Sequence, residues 1–279
     1  MNISVMIATY NRYIDICDCI ESVIKQSKLP SEIVIVDSTE INNENIEDYN
    51  KFKSFIDTID NVNVKYVHPD EKGLTVQRNI GMKNINDNCD LIMFLDDDIL
   101  LGKNYIEEIE KAFYNDEIIG AEGNLSRDGD RILKLNKKDK NLKSLYGCNM
   151  TYRYSKIKNM KFDEMLKLYS FMEDWDFSYR VGKKGKLVKV AKAIAIHNQS
   201  KAGRVDYKKL GFMRIANKYY LKKKNNAFTL YDAIYLTLTI IRNGICSFKK
   251  SRRERFIGNI IALKRIIIKK ENIDIVTRI

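Results

Sequence analysis

The sequence predicts an α/β fold built around a doubly wound, mainly parallel sheet. Four predicted strands alternate with three stretches whose apolar residues recur at helical spacing. Three of the strands are continuous apolar runs, typical of strands in a buried parallel sheet, and the one at 62–67 alternates between apolar and polar residues. This repeated succession of strand, helix and strand favours parallel pairing with right-handed crossovers. With 279 residues, 44% of them hydrophobic, the chain can form one large domain and an appendage.

The predicted elements are most regular in the first hundred residues. Strands are expected at 3–8, 32–36, 62–67 and 91–95, and helices at about 14–24, 46–59 and 75–86. The pattern then becomes irregular, with a helix at 105–114, short strands at 118–123, 131–135, 186–190 and 193–197, and a helix that ends near 185. Amphipathic helices are expected at 206–224, 230–247 and 252–270. We therefore expect an α/β domain at 1–200 and a helical C-terminal region at 201–279.

The central apolar run, Leu91–Leu95, leads directly into Asp96, Asp97 and Asp98. Adjacent carboxylates repel one another unless water, protonation or a cation relieves the repulsion, and clusters of oxygen ligands suit Mg²⁺ or Mn²⁺. The end of a buried strand is also where open α/β sheets bind their ligands. The alternative for this triplet, taken alone, is an acidic turn that caps the next helix.

Polar residues follow the other predicted strands as well. Thr9–Arg12 comes after the first strand and Asp37 after the second. Because the carboxyl ends of parallel strands meet at one edge of a sheet, these residues and the three aspartates are expected to face a common crevice. Arg78, in the third predicted helix, adds a cation suited to phosphate oxygens. The sequence therefore predicts a site for a nucleotide and a divalent metal.

Charge and cysteine content restrict the class of protein. The net charge is +12, but residues 201–279 contain 20 Lys and Arg against 5 Asp and Glu, whereas residues 1–200 contain 29 against 32. The five cysteines show no C-x-x-C spacing, which fits a reducing cytoplasm. We find neither a signal-peptide pattern nor an apolar run long enough to span a membrane. The expected location is therefore the cytoplasm, with the basic C-terminal region as a candidate for docking on the inner membrane face.

Several segments in a fixed order resemble glycosyltransferase family 2. They are Ser4–Arg12, Glu32–Asp37, Gln77–Gly81 and Phe94–Asp98, followed by Tyr146–Met150, Phe162–Glu164, Glu173–Asp176 with Arg180 and Gly185, and His197. The resemblance covers about residues 1–200. It implies a GT-A fold, which is Rossmann-like, and an inverting transfer from a nucleoside diphosphate sugar with Mn²⁺ or Mg²⁺ as cofactor.

The resemblance also implies roles for individual residues. Asp174 would be the general base, and Asp98, Asp96 and His197 would lie at the metal. The donor would be bound by Thr9, Asn11, Arg12, Asp37, Arg78, Asp96, Asp97, Gly147, Asn149 and Glu173. These types suit the chemistry, because an attacking sugar hydroxyl needs a carboxylate to take its proton and a departing diphosphate needs its charge neutralised.

The sequence departs from the family pattern in two places. Ser38-Thr39-Glu40 follows Asp37 where the family often has a further acidic or amide residue and a glycine, which affects the expected nucleobase contacts. The Q-x-x-R-W signature of processive members is absent, because the single tryptophan, Trp175, is not preceded by such a motif. The addition of a single sugar to a glycan or a lipid-linked acceptor is therefore expected.

Three other functions remain alternatives at this level. A nucleotidyltransferase acting on sugar phosphates would usually carry a glycine-rich loop after the first strand, and Thr9–Arg12 contains no glycine. A nucleic-acid-binding protein would use the basic C-terminal region, but no recognisable binding motif accompanies it. A sugar-nucleotide sensor would not need intact carboxylates at Asp98 and Asp174. For the C-terminal helices, packing on protein or on a second subunit is the alternative to a membrane surface.

Overall fold

The computed structural model describes residues 1–127, 136, 138–166, 169–198, 200 and 206–269. The predicted strand at 131–135 lies outside these residues. Two compact units are present: the first comprises 1–72, 76–162 and 177–203, and the second comprises 73–75, 163–176 and the chain from 204 onward. The second unit therefore includes two segments from within the predicted α/β domain, and the boundary at 200 stays a prediction.

The first unit contains a mixed sheet that is mainly parallel. In the described residues its strands are β1 (Ile3–Thr9), β2 (Glu32–Asp37), β3 (Asn63–Val67), β4 (Leu91–Asp96), β5 (Ile99–Leu101), β6 (Ile118–Arg127), β7 (Lys140–Leu142), β8 (Asn149–Arg153) and β9 (Lys186–His197). Their order is β3-β2-β1-β4-β8-β6-β9-β5, with β7 also paired to β9. The strands β3, β2, β1 and β4 are mutually parallel, as predicted, and so are β6 and β9.

Helices cover both faces of this sheet. The helices before residue 206 in the described residues are α1 (Tyr13–Ile24), α2 (Ile46–Asp57), α3 (Leu74–Asn84), α4 (Tyr105–Ala112), α5 (Tyr154–Ile157) and α6 (Glu173–Val181). Val5 and Ile7 of β1 point into a core with apolar residues of α1, α2 and α4, whereas Met6 points into a second core with residues of α3, α5 and α6. Strand residues that alternate between two apolar cores explain why these runs are continuously apolar.

The sequence predicts the second half of the sheet less well. Strand β8 lies between β4 and β6 and is antiparallel to both, although its sequence suggests only an irregular segment. Its buried polar residues, Asn149 and Thr151, hide the apolar character of a central strand. The two short strands predicted at 186–190 and 193–197 form one continuous strand, β9, which pairs with β6 through an irregular register. Strand β5 is too short to produce a pattern.

The second unit contains three helices, α7 (Tyr207–Lys224), α8 (Leu230–Ile245) and α9 (Lys250–Lys264), followed by a π-helical turn at Arg265–Lys269. Helices α7 and α9 pack at close range, because Gly211 and Gly258 each face the backbone of the opposite helix. A Cβ atom on Gly258 would lie 2.0 Å from the carbonyl oxygen of Lys208. Among the described residues, no helix is both long and apolar enough to cross a membrane.

One buried carboxylate ties the start of β2 to its surroundings. Oε1 of Glu32 accepts hydrogen bonds from Oγ of Ser4 and the backbone N–H of Asn86, each at 2.7 Å. Its Oε2 lies 2.9 Å from Nζ of Lys65. Burial alone would raise the pKa of Glu32, but these contacts outweigh it and lower the pKa below its ordinary value.

We predict that Glu32→Gln lowers the free energy of unfolding by about 2 kcal/mol at neutral pH, because the buried site loses its charge and its ion pair with Lys65, and the hydrogen bonds from Ser4 and Asn86 are then made to a neutral amide oxygen. Since the folded pKa lies below the unfolded one, the contribution of Glu32 is complete above the ordinary glutamate range and disappears as the pH falls through that range to the folded pKa. Urea unfolding at several pH values measures both effects. Glu47→Gln, in an exposed pair with Lys51, is the matched control; an equal loss there would contradict the prediction.

Candidate active site

The three aspartates after β4 have different surroundings. Asp97 is buried and points into the protein, where Oγ1 of Thr9 donates to Oδ2 and the Arg12 guanidinium donates to Oδ1, each at 2.7 Å. Burial raises the pKa of Asp97 to about 7, even though Arg12 and Thr9 both stabilise its charged form. Asp97 therefore fixes the loop after β1 against the end of β4.

Asp98 lies beside His197. The antiparallel pairing of β5 with β9 aligns Ile99 with His197, which brings Nε2 of the imidazole within 3.2 Å of Oδ1 of Asp98. Oδ2 accepts the backbone N–H of Ser200 at 3.0 Å, whereas Oδ1 is buried and accepts no hydrogen bond of good geometry in the described residues. Burial alone would raise the pKa of Asp98, but His197 and the charge of Arg12 lower it below its ordinary value.

Asp96 is the most exposed of the three and is joined to a second group of residues by Arg78. The Arg78 guanidinium is buried and lies 3.3 Å from Oδ1 of Asp96. It also donates to the carbonyl oxygen of Gly147 at 3.0 Å and lies over the ring of Phe162. These three contacts fix the orientation of the guanidinium. Through them, Arg78 links Asp96 to the turn before β8.

Sequence reasoning missed one residue that builds this edge of the sheet. Nε2 of Gln77 donates to the carbonyl oxygens of Thr9 and Val36 at 2.7 and 3.0 Å. Because these carbonyls lie at the ends of β1 and β2, the side chain joins the two strands where their ladder stops. Gln77 precedes Arg78 within a segment that resembles the family. That position is the only feature of the sequence that could have indicated a role for Gln77 at the site.

The loop after β1 is also braced against the loop after β2. Asn11 adopts a left-handed backbone conformation with φ of 56°, which asparagine tolerates better than most residues. Its N–H donates to Oγ1 of Thr39 at 2.8 Å. Residues from 10–15 and 40–48, which belong to these loops and to the first turns of α1 and α2, line a cavity of about 480 Å³ that includes Arg12 and Glu40.

Two predicted donor-binding residues are turned into the protein. Asp37 is fully buried: its Oδ2 accepts the hydroxyls of Tyr13 and Tyr66, and its Oδ1 accepts the N–H of Thr39. Asn149 is fully buried in β8 and donates to the carbonyl oxygen of Gly123. In this geometry Asp37 supports the loop that carries Thr39, and a direct contact of either side chain with a donor stays a prediction.

Glu173 and Asp174 begin α6 and belong to the second unit. Asp174 is half-buried, and its Oδ1 accepts the N–H of Trp175 at 2.7 Å. Ser170 and Met172, just before the helix, have φ values of 54° and 75°, a left-handed region that residues with a side chain rarely adopt. Strain of this kind persists only where neighbouring contacts impose it, and it is concentrated at functional sites.

Several contacts that hold this segment come from the end of α7 and from Asn225, the residue after it. Nζ of Lys224 lies 2.6 Å from Oδ2 of Asp163 and 3.2 Å from Oδ2 of Asp176. Nδ2 of Asn225 donates to Oδ1 of Asp176 at 2.7 Å, and the hydroxyl of Tyr220 donates to Asp163 at 3.0 Å. Asp176 is fully buried, so its charge depends on these partners. The end of α7 therefore fixes both ends of 163–176, the segment that contains Asp174.

The residues around Asp98 fit a divalent metal in part. A buried carboxylate oxygen with no hydrogen bond, next to an imidazole nitrogen, is a suitable pair of ligands for Mn²⁺ or Mg²⁺. Within the described residues, no three His, Cys, Asp or Glu side chains are grouped so as to hold a metal ion by themselves. An ion at Asp98 would need further ligands from water or from phosphate oxygens, which is usual for Mg²⁺ at phosphate-binding sites.

Comparison with known proteins identifies the family. The model for "Glycosyl transferase family 2" matches residues 4–173, which is more than half of the chain and includes every predicted site residue except Asp174 and His197. The chain belongs to glycosyl transferase family 2. It is therefore an enzyme that transfers a sugar from a nucleotide sugar to an acceptor. This assignment identifies a glycosyltransferase and not a nucleotidyltransferase.

Solved structures support the fold. A crystal structure of S. aureus TarS residues 1–349 superposes with a TM-score of 0.58 at 16% identity, covering 96% of this chain and 74% of that one. A second TarS crystal structure gives a TM-score of 0.55 at 18% identity, covering 78% of this chain; the match spans 40% of the length of that chain. At these identities the likeness establishes a GT-A-like fold with C-terminal helices. No curated protein matches the sequence.

We predict that Lys224→Met lowers the free energy of unfolding by about 2 kcal/mol, because the buried Asp176 loses its cationic partner. Glycosyl transfer should fall as well, since 163–176 includes Asp174. Lys223→Met, at the exposed neighbouring position, is the matched control and should change stability by about 0.5 kcal/mol or less. Chemical denaturation measures the difference, and equal stabilities for the two variants would contradict the role of Lys224.

Proposed function

We propose that this family 2 enzyme is an inverting, metal-dependent glycosyltransferase that adds one sugar to an acceptor hydroxyl, in the assembly of a surface glycan or a lipid-linked oligosaccharide. The observation that carries the proposal is the pair formed by Asp98 and His197. It places an unsatisfied, buried carboxylate oxygen and an imidazole 3.2 Å apart at the end of the central strand. A metal and a diphosphate together would complete the ligands that this pair begins.

For the donor, we assign the nucleoside and the diphosphate to the edge formed by the loops after β1, β2 and β4. Arg12 and Arg78 supply cations there, and Asp96 is exposed enough to meet a ribose or sugar hydroxyl. Asn11 lines the cavity between the first two loops. Thr9, Asp97 and Asp37 act by holding these loops, and Gly147 and Asn149 by shaping the turn before β8. We also assign Glu173, the residue before Asp174 in α6, to donor binding.

A metal bound by Asp98 and His197, with Asp96 nearby, would neutralise the negative charge that develops on the leaving diphosphate. Arg12 adds to this effect, because its guanidinium lies 3.6 Å from Oδ2 of Asp98. The pairing of Arg12 with Asp97 at 2.7 Å keeps the cation in place before the donor arrives. Such pre-organised charge costs no rearrangement during the reaction.

For the acceptor, we assign the general base to Asp174. In one in-line displacement, the acceptor oxygen forms a bond to the anomeric carbon while the bond from that carbon to the diphosphate oxygen breaks. The proton of the acceptor hydroxyl passes to the Asp174 carboxylate, and the electron pair leaves with the diphosphate. A single displacement inverts the anomeric configuration and requires no enzyme nucleophile.

The acceptor class follows from two features of the sequence. The absence of the Q-x-x-R-W signature favours the addition of one sugar over processive synthesis. The strongly basic residues 201–279 favour an acceptor presented at an anionic surface, such as the inner face of a membrane. Both features fit a glycan intermediate that grows on a lipid carrier.

We predict that chelation abolishes transfer and that Mn²⁺ or Mg²⁺ restores it. Asp98→Asn should lower metal affinity or activity by about 100-fold or more, because it removes a ligand and not merely a supporting group. Release of nucleoside diphosphate from a panel of nucleotide sugars is the measurement, and Asp116→Asn, at a fully exposed carboxylate, is the matched control. Full activity of Asp98→Asn or of the chelated enzyme would contradict the proposed site.

We predict that Asp174→Asn separates chemistry from binding. The amide keeps nearly the same shape but accepts no proton, so donor affinity should persist while kcat falls by about 100-fold or more. Glu164→Gln, in the same segment but exposed, should retain normal kcat. The product should carry the anomeric configuration opposite to that of the donor; retention, observed by NMR, would contradict a single displacement.

A further inference from the structure

Helix α8 has apolar residues on two sides. On one side, Leu236 is buried in a core that includes Phe212 and Met213 of α7 and Ala262 of α9, and Ile240 packs against this core. A second apolar side of this kind is normally covered by protein or lies in a lipid environment. The other side of α8 is not covered by the described residues.

The uncovered side forms a continuous row. Its members recur every three or four residues and are Leu230, Ile234, Leu238, Ile241, Ile245 and, in the turn after the helix, Phe248. Leu230, Ile245 and Phe248 are 77%, 73% and 77% exposed. Single exposed apolar residues are common on protein surfaces, but an aligned row of this length marks an interaction surface.

The sequence alone points to a different helix. In the sequence, Phe256, Ile260, Leu263 and Ile267 suggest a face for membrane insertion. In the structure the first three side chains are only partly exposed, whereas Ile267, in the π-helical turn after α9, is 64% exposed. Phe256 packs beside Gly244 of α8, and α9 approaches α7 closely at Gly258. The longest exposed apolar row therefore lies on α8, because Phe256, Ile260 and Leu263 of α9 are partly covered within the helical unit.

The charges around this row select the kind of partner. Arg242, Lys249, Lys250 and Arg253 are exposed at the C-terminal end of α8 and in the residues after it. Between 206 and 269 the sequence has 16 basic residues and three acidic ones, Asp206, Asp232 and Glu254. Asp232 is buried and lies 3.4 and 3.6 Å from Nζ of Lys218 and Lys222. An apolar row bordered by exposed cations complements a surface with an apolar interior and anionic headgroups.

We propose that α8 and the turn at 246–249 dock this enzyme on an anionic membrane surface. The row from Leu230 to Phe248 lies along the boundary between headgroups and acyl chains, and Arg242, Lys249 and Lys250 contact the headgroups. Only the biological reason for docking, access to a lipid-linked acceptor, rests on the proposed function. Docking itself requires no glycosyl transfer, so the two proposals are tested separately.

Co-flotation of the full chain with lipid vesicles tests the proposal. The protein should float with vesicles of phosphatidylcholine and phosphatidylglycerol, remain behind with phosphatidylcholine alone, and dissociate as salt is added. The double variant Ile245→Gln and Phe248→Gln should bind about tenfold or more weakly. Tyr114→Gln, which changes an exposed aromatic residue of α/β unit 1, is the apolar control and should bind normally.

A second pair of variants tests the charge contribution. The triple variant Arg242→Gln, Lys249→Gln and Lys250→Gln should weaken binding about fivefold for each basic residue removed. The triple variant Lys25→Gln, Lys51→Gln and Lys111→Gln removes the same charge from exposed positions of the first unit and should bind normally. Circular dichroism and release of nucleoside diphosphate with a water-soluble acceptor should be unchanged in all of these variants, which separates lost docking from lost folding or lost catalysis.

Three results would overturn the proposal. The first is full-length protein that stays unbound at low salt, and the second is equal binding to neutral and anionic vesicles. The third is a stable dimer that the Ile245→Gln and Phe248→Gln variant dissociates, which would assign the row to a second copy of the chain.

Discussion

The structure of the α/β unit depends on the burial of its central strands on both faces. Residues of β1, β2 and β4 alternate between two apolar cores, so no position along these strands admits a charged side chain without a partner. Polar groups are therefore confined to the ends of the strands. Because these three strands are parallel, their carboxyl ends lie on one edge. The clustering of Thr9, Arg12 and the three aspartates follows from this burial.

The repulsion among the three neighbouring carboxylates, Asp96 to Asp98, has to be offset by a separate partner for each. Asp97 is matched by Arg12 and Thr9, and Asp96 lies beside Arg78. One oxygen of Asp98 accepts the N–H of Ser200 and the other remains without a hydrogen bond beside His197. The neighbouring carboxylates thus have different tasks: one is committed to the scaffold, and another retains an oxygen for a ligand. A uniform acidic turn in solvent would show no such division.

The second unit combines two kinds of segment that are far apart in the sequence. The C-terminal helices α7–α9 group with 163–176, which contains Asp174, and Lys224 is the residue that links the end of α7 to Asp163 and Asp176. The helical region is therefore more than an appendage, because it holds the segment proposed to supply the general base. Its basic charge and the exposed row on α8 are a separate property of the same helices.

The sequence by itself determined the elements whose pattern is set by local burial. The apolar runs at Ile3–Thr9, Glu32–Asp37 and Leu91–Asp96 and the order of their motifs were sufficient for the parallel half of the sheet, the family and most of the candidate site. Other features were decided only by the tertiary structure, because they depend on contacts between residues that are distant in the sequence. The central position of β8, the inward orientation of Asp37 and Asn149, the bracing by Gln77 and the grouping of Lys224 with Asp176 all result from contacts that no local period encodes. The same reason explains α8 and α9: both are amphipathic in sequence, and only packing decides which apolar face is covered.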